Sequence, residues 1–257
     1  MKVLAIDTSG TPVSAALIDE RLLLGEYFVI NKSKTHSRNL FHIIQTLLRD
    51  VNLSVNDIDL FAVTKGPGSF TGLRIGITAA KTMAYALNKS IIGVTTLDVL
   101  AHNITFCNDI ICPIIDAKNN QVYTALYEWT SSDKIPDTDS NGFSLMKNNA
   151  VKEEQKRISE YIAISIKDLV LDIRKRIEET GKEIIFTGDG VISYADFFLN
   201  ELGLKCKFAP NNLLFQRASS TAEIALERFV NGEEDNPFDL VPFYLRKSQA
   251  ERMREFG

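Results

Sequence analysis

Two short runs carry the residue types from which phosphate chemistry is built. Asp7-Thr8-Ser9-Gly10 ends an apolar, strand-like run. An acid followed by small hydroxyl residues and a glycine can wrap a phosphate in backbone N–H groups and hold Mg²⁺ through the carboxylate. The same residues also make a plain hairpin turn. The second run is TKGPGSFTGLRIGI, residues 64–77. Its glycines, Gly66, Gly68 and Gly72, match neither G-x-G-x-x-G nor the Walker pattern, because no Lys-Ser/Thr pair follows the last of them. Lys65 precedes the loop, where it cannot serve as a Walker lysine. A generic anion site remains, with Ser69 or Thr71 capping the following helix and Arg74 close by. Further along, Gly188-Asp189-Gly190 could approach a nucleoside or simply turn a strand into a helix. Asp116 ends a strand, yet Lys118 and two asparagines follow where a phosphate-gripping hairpin would want glycine.

Other catalytic chemistry finds few candidates. The three histidines are His36, His42 and His102. The first two are six positions apart and fall on different faces of a helix, unlike an i, i+4 metal pair. No H-E-x-x-H or G-x-S-x-G signature occurs. Cys107, Cys112 and Cys206 have no zinc or redox spacing and read as small buried hydrophobes of a reducing compartment.

The elements that must hold these residues follow from periodicity. Residues 3–7, 13–19 and 22–30 read as a strand meander broken at Gly10-Thr11-Pro12 and Asp19-Glu20-Arg21. Residues 37–51 carry Leu40, Phe41, Ile44, Leu47, Leu48 and Val51 at helical spacing. A strand over 60–66, a helix over 71–87, a strand over 91–96 and a helix over 97–104 complete a first round. A second begins with strands at 109–117 and 121–129. It continues through a polar loop at 130–141, a helix over 165–180 capped by Ser165 and a strand at 183–190. Helices at 191–202 and 221–229 follow. Two such rounds predict a duplicated α/β architecture with a cleft between the halves.

One pattern in the 71–87 helix stands apart. Gly72, Gly76, Ala80 and Ala84 recur every fourth residue and thin one face, as a close helix–helix or helix–sheet contact requires. Glycine inside a helix costs about 0.5–1 kcal/mol against alanine, so the stripe needs a packing or functional reason. Composition is ordinary for a soluble globular chain of 257 residues: 45% hydrophobic, 24% charged, net charge −4. That net charge gives no general attraction for polyphosphate. The basic groups at 174–176 and 246–254 read as a solvated helix face and an ordinary chain end. The N-terminus has no leader-like run and no segment approaches the ~20 apolar residues of a membrane span, so a cytoplasmic protein is expected.

GPGSFTGLRIG (66–76), LAIDTSG (4–10), IIDAKNNQVYTALY (114–127) and FYLRK (243–247) together make the chain resemble the TsaB family, also called YeaZ. The resemblance implies the actin-like, sugar-kinase-like (ASKHA) fold: two duplicated βββαβα-type domains. They would span 1–106, completed by 233–257, and 107–232, with a variable insertion at 130–160. It implies a non-catalytic scaffold with no catalytic residue, metal or cofactor. Such a subunit pairs with TsaD, the metal-bearing enzyme that puts a threonylcarbamoyl group on the adenosine beside the anticodon of ANN-decoding tRNAs. The ATPase TsaE joins them, and tRNA is met only through the complex.

The family contact is a bundle of N-terminal-domain helices, which implies an interface at Ser37, Leu40, Phe41, Ile44, Leu48, Gly72, Leu73, Gly76, Ala80, Met83 and Ala84. The same surface would serve a homodimer in the absence of TsaD. The motif loop is Gly66, Pro67, Gly68, Ser69, Phe70, Thr71 and Arg74, and a degenerate nucleotide site would be Asp7, Thr8, Ser9 and Gly188. The family often has Arg where Lys118 stands. The competing expectation is a phosphotransferase or ATPase of the same fold, using Asp7 with Mg-ATP.

Overall fold

The computed structural model describes residues 1–20, 22–30, 36–105, 107–132 and 152–246, with the backbone alone for 36–39, 131–132 and 152–153. The chain opens with β1 (Lys2–Asp7), β2 (Pro12–Asp19) and β3 (Leu22–Ile30) as an antiparallel meander. Helix α1 (His36–Asp50) crosses back to β4 (Leu60–Gly66), which lies parallel to β1, and α2 (Phe70–Leu87) crosses to β5 (Ser90–Thr95). The five strands are ordered β3-β2-β1-β4-β5.

After α3 (Thr96–His102) the plan repeats. The second sheet contains β6 (Ile110–Asp116), β7 (Gln121–Thr124), β10 (Ile162–Ser165), β11 (Ile184–Thr187) and β12 (Cys206–Phe208), in the order β10-β7-β6-β11-β12. Helices α4 (Ile166–Thr180) and α5 (Gly190–Leu202) make its crossovers. Three antiparallel strands followed by two parallel ones, twice over, is the duplicated actin-like arrangement. The second half differs by an inserted hairpin arm, β8 (Tyr127–Ser132) paired with β9 (Lys152–Arg157).

The third helices are exchanged between the halves. Leu97, Leu100 and Ala101 of α3 join the core of the second sheet. Helix α6 (Ala218–Val230) instead lays Ala218, Ala222 and Ala225 on Val3, Ala5, Ala16, Ala62 and Val94 of the first sheet. The alanines let the helix sit close over a sheet face that is itself small-residue rich. On the opposite face of that sheet, α1 buries Leu40, Ile44, Leu47 and Leu48, and α2 buries Leu73, Ile77, Ala80 and Ala84.

Several boundaries differ from the sequence reading. The single strand expected at 121–129 is two, β7 and β8. Between them Ala125 and Leu126 form a corner where the Leu126 N–H donates to Ser159 Oγ at 2.8 Å and the Leu126 carbonyl accepts from the Ile158 N–H at 2.7 Å. The polar stretch at 130–141 starts as strand, since 130–132 pair with 152–154, and its remainder lies outside the described residues. Strands β9, β10 and β12 had no counterpart in the reading. Cys112 and Cys206 are buried, and burial pushes their thiols up to about 12 and about 11. Among the described residues no helix is long and apolar enough to cross a membrane.

Candidate functional site

The first loop suspected of phosphate binding is sealed inside the protein. Asp7, Thr8 and Ser9 are at most 1% exposed. Asp7 Oδ1 accepts the Ser9 N–H at 2.9 Å and the Ser9 hydroxyl at 3.0 Å. Thr8 Oγ1 donates to the Gly72 carbonyl at 2.6 Å, and the Ser9 carbonyl accepts the Ser69 N–H at 2.6 Å. From the other side, Gln216 Nε2 donates to Ser9 Oγ at 3.0 Å. Burial pushes the Asp7 carboxyl above its ordinary range, against the hydrogen bonds from Thr64, Ser9 and Gln216. Groups that would have faced a phosphate are spent on the chain's own backbone and side chains.

The motif glycines explain that closure. A Cβ on Gly68 would collide with the Ser9 carbonyl, one on Gly72 with the Thr8 carbonyl, and one on Gly76 with Thr8 Oγ1. Gly66 has φ +116° and leaves no room before the Phe243 carbonyl. Ser69 caps α2 by accepting the Gly72 N–H at 3.2 Å. The small stripe Gly72, Gly76, Ala80 and Ala84 is thus turned onto the protein's own loop and sheet and away from solvent. Leu40, Ile44, Leu48 and Leu73, also named for the interface, are likewise core residues of this chain. Of the eleven residues named for that interface, Phe41 is exposed and Met83 partly so. The side chain of Ser37 lies outside the described residues.

The second pair of loops is only partly internal: Asp116 and Asp189 are half-buried, and Lys118, Asn119 and Asn120 are exposed. Gly188 has φ +100°, and a Cβ there would strike the Ile114 carbonyl. Asp189 Oδ1 accepts the Asp116 N–H at 3.0 Å. Lys118, Asn119 and Asn120 all have positive φ, 62°, 56° and 55°, so the asparagines make a tight hairpin turn without glycine. Lys118 Nζ lies 2.6 Å from Asp116 Oδ2. Burial pushes Asp116 up, and the Lys118 hydrogen bonds and charge outweigh it, leaving the carboxyl below its ordinary range.

The outer side of α1 and α2, by contrast, is open to solvent. A groove of about 550 Å³ is lined by Phe41 of α1 and by Phe70, Arg74, Ile75, Thr78 and Met83 of α2. Phe41 is 54% exposed and Phe70 39%. At one end the Arg74 guanidinium lies 3.9 Å over the Phe70 ring and donates from Nε to Tyr244 Oη at 3.3 Å. Tyr244 stacks on Phe70 with centroids 5.0 Å apart. The segment carrying Tyr244 is strapped along α2: Lys81 Nζ donates to the Leu240 carbonyl at 2.9 Å, and the Phe243 N–H donates to the Lys65 carbonyl at 2.7 Å. Sequence reasoning missed Ile75, Thr78 and Tyr244. The threonine–isoleucine face of α2 was visible only by asking what lies opposite the small stripe.

Comparison with known proteins completes the description. Residues 30–253 match the family model for TsaD, tRNA N6-adenosine threonylcarbamoyltransferase. The tRNA threonylcarbamoyladenosine biosynthesis protein TsaB of Bacillus subtilis is 30% identical over 251 residues, covering 98% of this chain and 96% of its own. That of Escherichia coli is 27% identical over 252 residues, covering 97% and 96%. YeaZ from Pseudomonas aeruginosa superposes with a TM-score of 0.69 at 19% identity, over 95% of this chain and 99% of its own. The fold is therefore shared with YeaZ, and the match over nearly its full length shows that this chain belongs to the TsaB family of tRNA threonylcarbamoyladenosine biosynthesis proteins.

Proposed function

We propose that the chain is an accessory, non-catalytic subunit that docks the TsaD transferase through the outer groove between α1 and α2. The observation that carries this reading is the solvent-open apolar groove itself, with Phe41 and Phe70 exposed at its walls and an Arg–Phe–Tyr stack at its end. Aromatic and arginine anchors in such a setting are the usual hot spots of an interface. In this reading tRNA and the ATPase TsaE are met only through the TsaD complex, in the cytoplasm. A homodimer would use the same groove in the absence of TsaD. The rival phosphotransferase reading loses support because Asp7 and Ser9 are sealed by α2 and Gln216.

Thr78→Arg tests the proposal, because Thr78 is exposed and lines the groove. A charged side chain at the centre of an interface should cut co-purification with TsaD and reconstituted tRNA modification by about tenfold or more, at unchanged thermal stability. Normal pairing by a folded Thr78→Arg protein would remove this groove as the contact.

A further inference from the structure

An open sheet edge is a template for another strand, and proteins guard such edges by shortness, charge or cover. Strand β5 is covered by the segment after α6, whose Asp235 donates its N–H to the Ile91 carbonyl at 3.0 Å and accepts the Gly93 N–H on Oδ2 at 2.8 Å. Strands β10 and β12 run for only four and three residues. Lys207 of β12 also lies 2.9 Å from Asp109 and 2.6 Å from Glu183. The outer strand of the arm, β9, is the charged run KEEQKR. Strand β3 is guarded in none of these ways. It ends the order β3-β2-β1-β4-β5, runs for nine residues and reads LLLGEYFVI, without lysine, arginine or proline. A register shift opposite Leu17 and Ile18 falls near its start, and Gly25–Ile30 pair regularly with β2. Among the described residues no strand pairs with its outer edge, and Val29 and Ile30 are 40% and 51% exposed.

Charge decides what can pair there. The one charged residue of β3, Glu26, is already neutralised and its side chain is 5% exposed. Its Oε2 accepts from Arg217 Nε and Nη2 at 3.0 and 2.5 Å, and its Oε1 accepts the Ser219 N–H at 3.1 Å. The edge therefore offers a charged peptide neither anion nor cation. It suits a strand that is itself apolar and neutral, and β3 is such a strand. The faces match as well. Tyr27 lies on the α1 side, where its Oη donates to Asp50 Oδ2 at 2.6 Å, and Phe28 lies on the other, its ring centroid 6.4 Å from that of Phe215. Antiparallel pairing of two β3 strands about a two-fold axis at Phe28 keeps every side chain on its own face. It sets Tyr27 opposite Val29 twice, Phe28 opposite Phe28, and Glu26 opposite Ile30, so no like charges meet. Aromatic–aromatic and aromatic–β-branched pairs are favourable cross-strand neighbours.

We propose that β3 is a self-association edge, at which two copies of this chain join their first sheets through antiparallel β3–β3 pairing. The contact shares no residue with the α1–α2 groove, so it forms whether or not that groove is occupied.

Sedimentation velocity on the full-length protein from about 1 to 100 μM tests this, together with hydrogen exchange at both ends of that range. The proposal expects a reversible dimer, with the Gly25–Ile30 amides better protected at the higher concentration. Thr78→Arg, which obstructs the α1–α2 groove, should leave that dimer in place. Val29→Lys and Ile30→Lys, each with circular dichroism unaltered, should weaken it by about tenfold or more. If the lysine variants unfold, the exchange comparison on the unaltered protein decides. The proposal is overturned by a monomer throughout the range, by a dimer that both folded lysine variants leave in place, by loss of the dimer in Thr78→Arg, or by Gly25–Ile30 amides that exchange alike at both concentrations.

Discussion

Gly76 shows most directly how residue identity sets structure here. The residue lies on the inner face of α2, where Thr8 Oγ1 occupies the space a side chain would need. Gly76→Val should therefore destabilise the whole fold, by about 1–3 kcal/mol or more as for other overpacked cores, measured by denaturant unfolding. A stable Gly76→Val protein that had lost only its partner would contradict this placement. Asp7 makes a second residue-scale prediction. Its folded pKa is raised above the ordinary 3.8 by burial. Below that value both folded and unfolded states hold the proton. As pH rises from there through the folded pKa, the unfolded chain gives up its proton first and stability is lost. Asp7→Asn keeps an acceptor for the Ser9 N–H without the charge, so its unfolding free energy should gain on the wild type as pH is raised over that window. Parallel pH profiles would refute the assignment.

Among the elements, the ones that could be read from the chain are those that announce themselves locally. The spacing of Leu40, Ile44, Leu47 and Leu48 marks α1, and Ser165 marks the start of α4 by accepting the Asp168 N–H at 3.1 Å. Strand β9, KEEQKR, could not be read, because nothing in its charged residues favours a strand and only pairing with β8 makes it one. The three residues of β12 are too few to show a period. For α2 the small stripe was legible but its neighbour was not: close approach to a foreign helix and to one's own loop demand the same glycines. The outer groove stayed hidden for the same reason, since it is defined by the face left over once the stripe is packed.

The strap over α2 belongs to this scale as well. Tyr244→Ala would remove the Phe70 stack and the Arg74 hydrogen bond, at a cost of about 0.5–1.5 kcal/mol. It should lower the denaturation midpoint with the slope unchanged. An unaltered midpoint would mean that the strap rests on α2 without supporting it.

At the scale of the whole molecule, the exchange of α3 and α6 makes each half depend on the other. Sheet β3-β2-β1-β4-β5 presents Ala5, Ala16 and Ala62 to a helix that the first 106 residues do not contain. A fragment of residues 1–106 is expected to give no cooperative thermal transition, while the full chain unfolds in one step shared by probes in both halves. Two separate transitions in the full chain would show that the halves are thermodynamically independent. The duplication itself was legible from repeated strand-and-helix rounds, but the exchange was not, because an alanine-rich helix carries no label for the sheet it will cover.

That exchange also has a consequence in time. When β5 leaves the ribosome the first sheet has all its strands, yet the helix that closes its second face begins at Ala218. At about 5–20 residues per second, synthesis of the intervening chain takes on the order of ten seconds. Through that interval the alanine-lined face of the nascent sheet stands open to water, to chaperones and to neighbouring nascent chains. Slowing translation anywhere between β5 and α6 should lengthen that exposure, and with it the yield lost to aggregation, without altering a single contact of the finished protein.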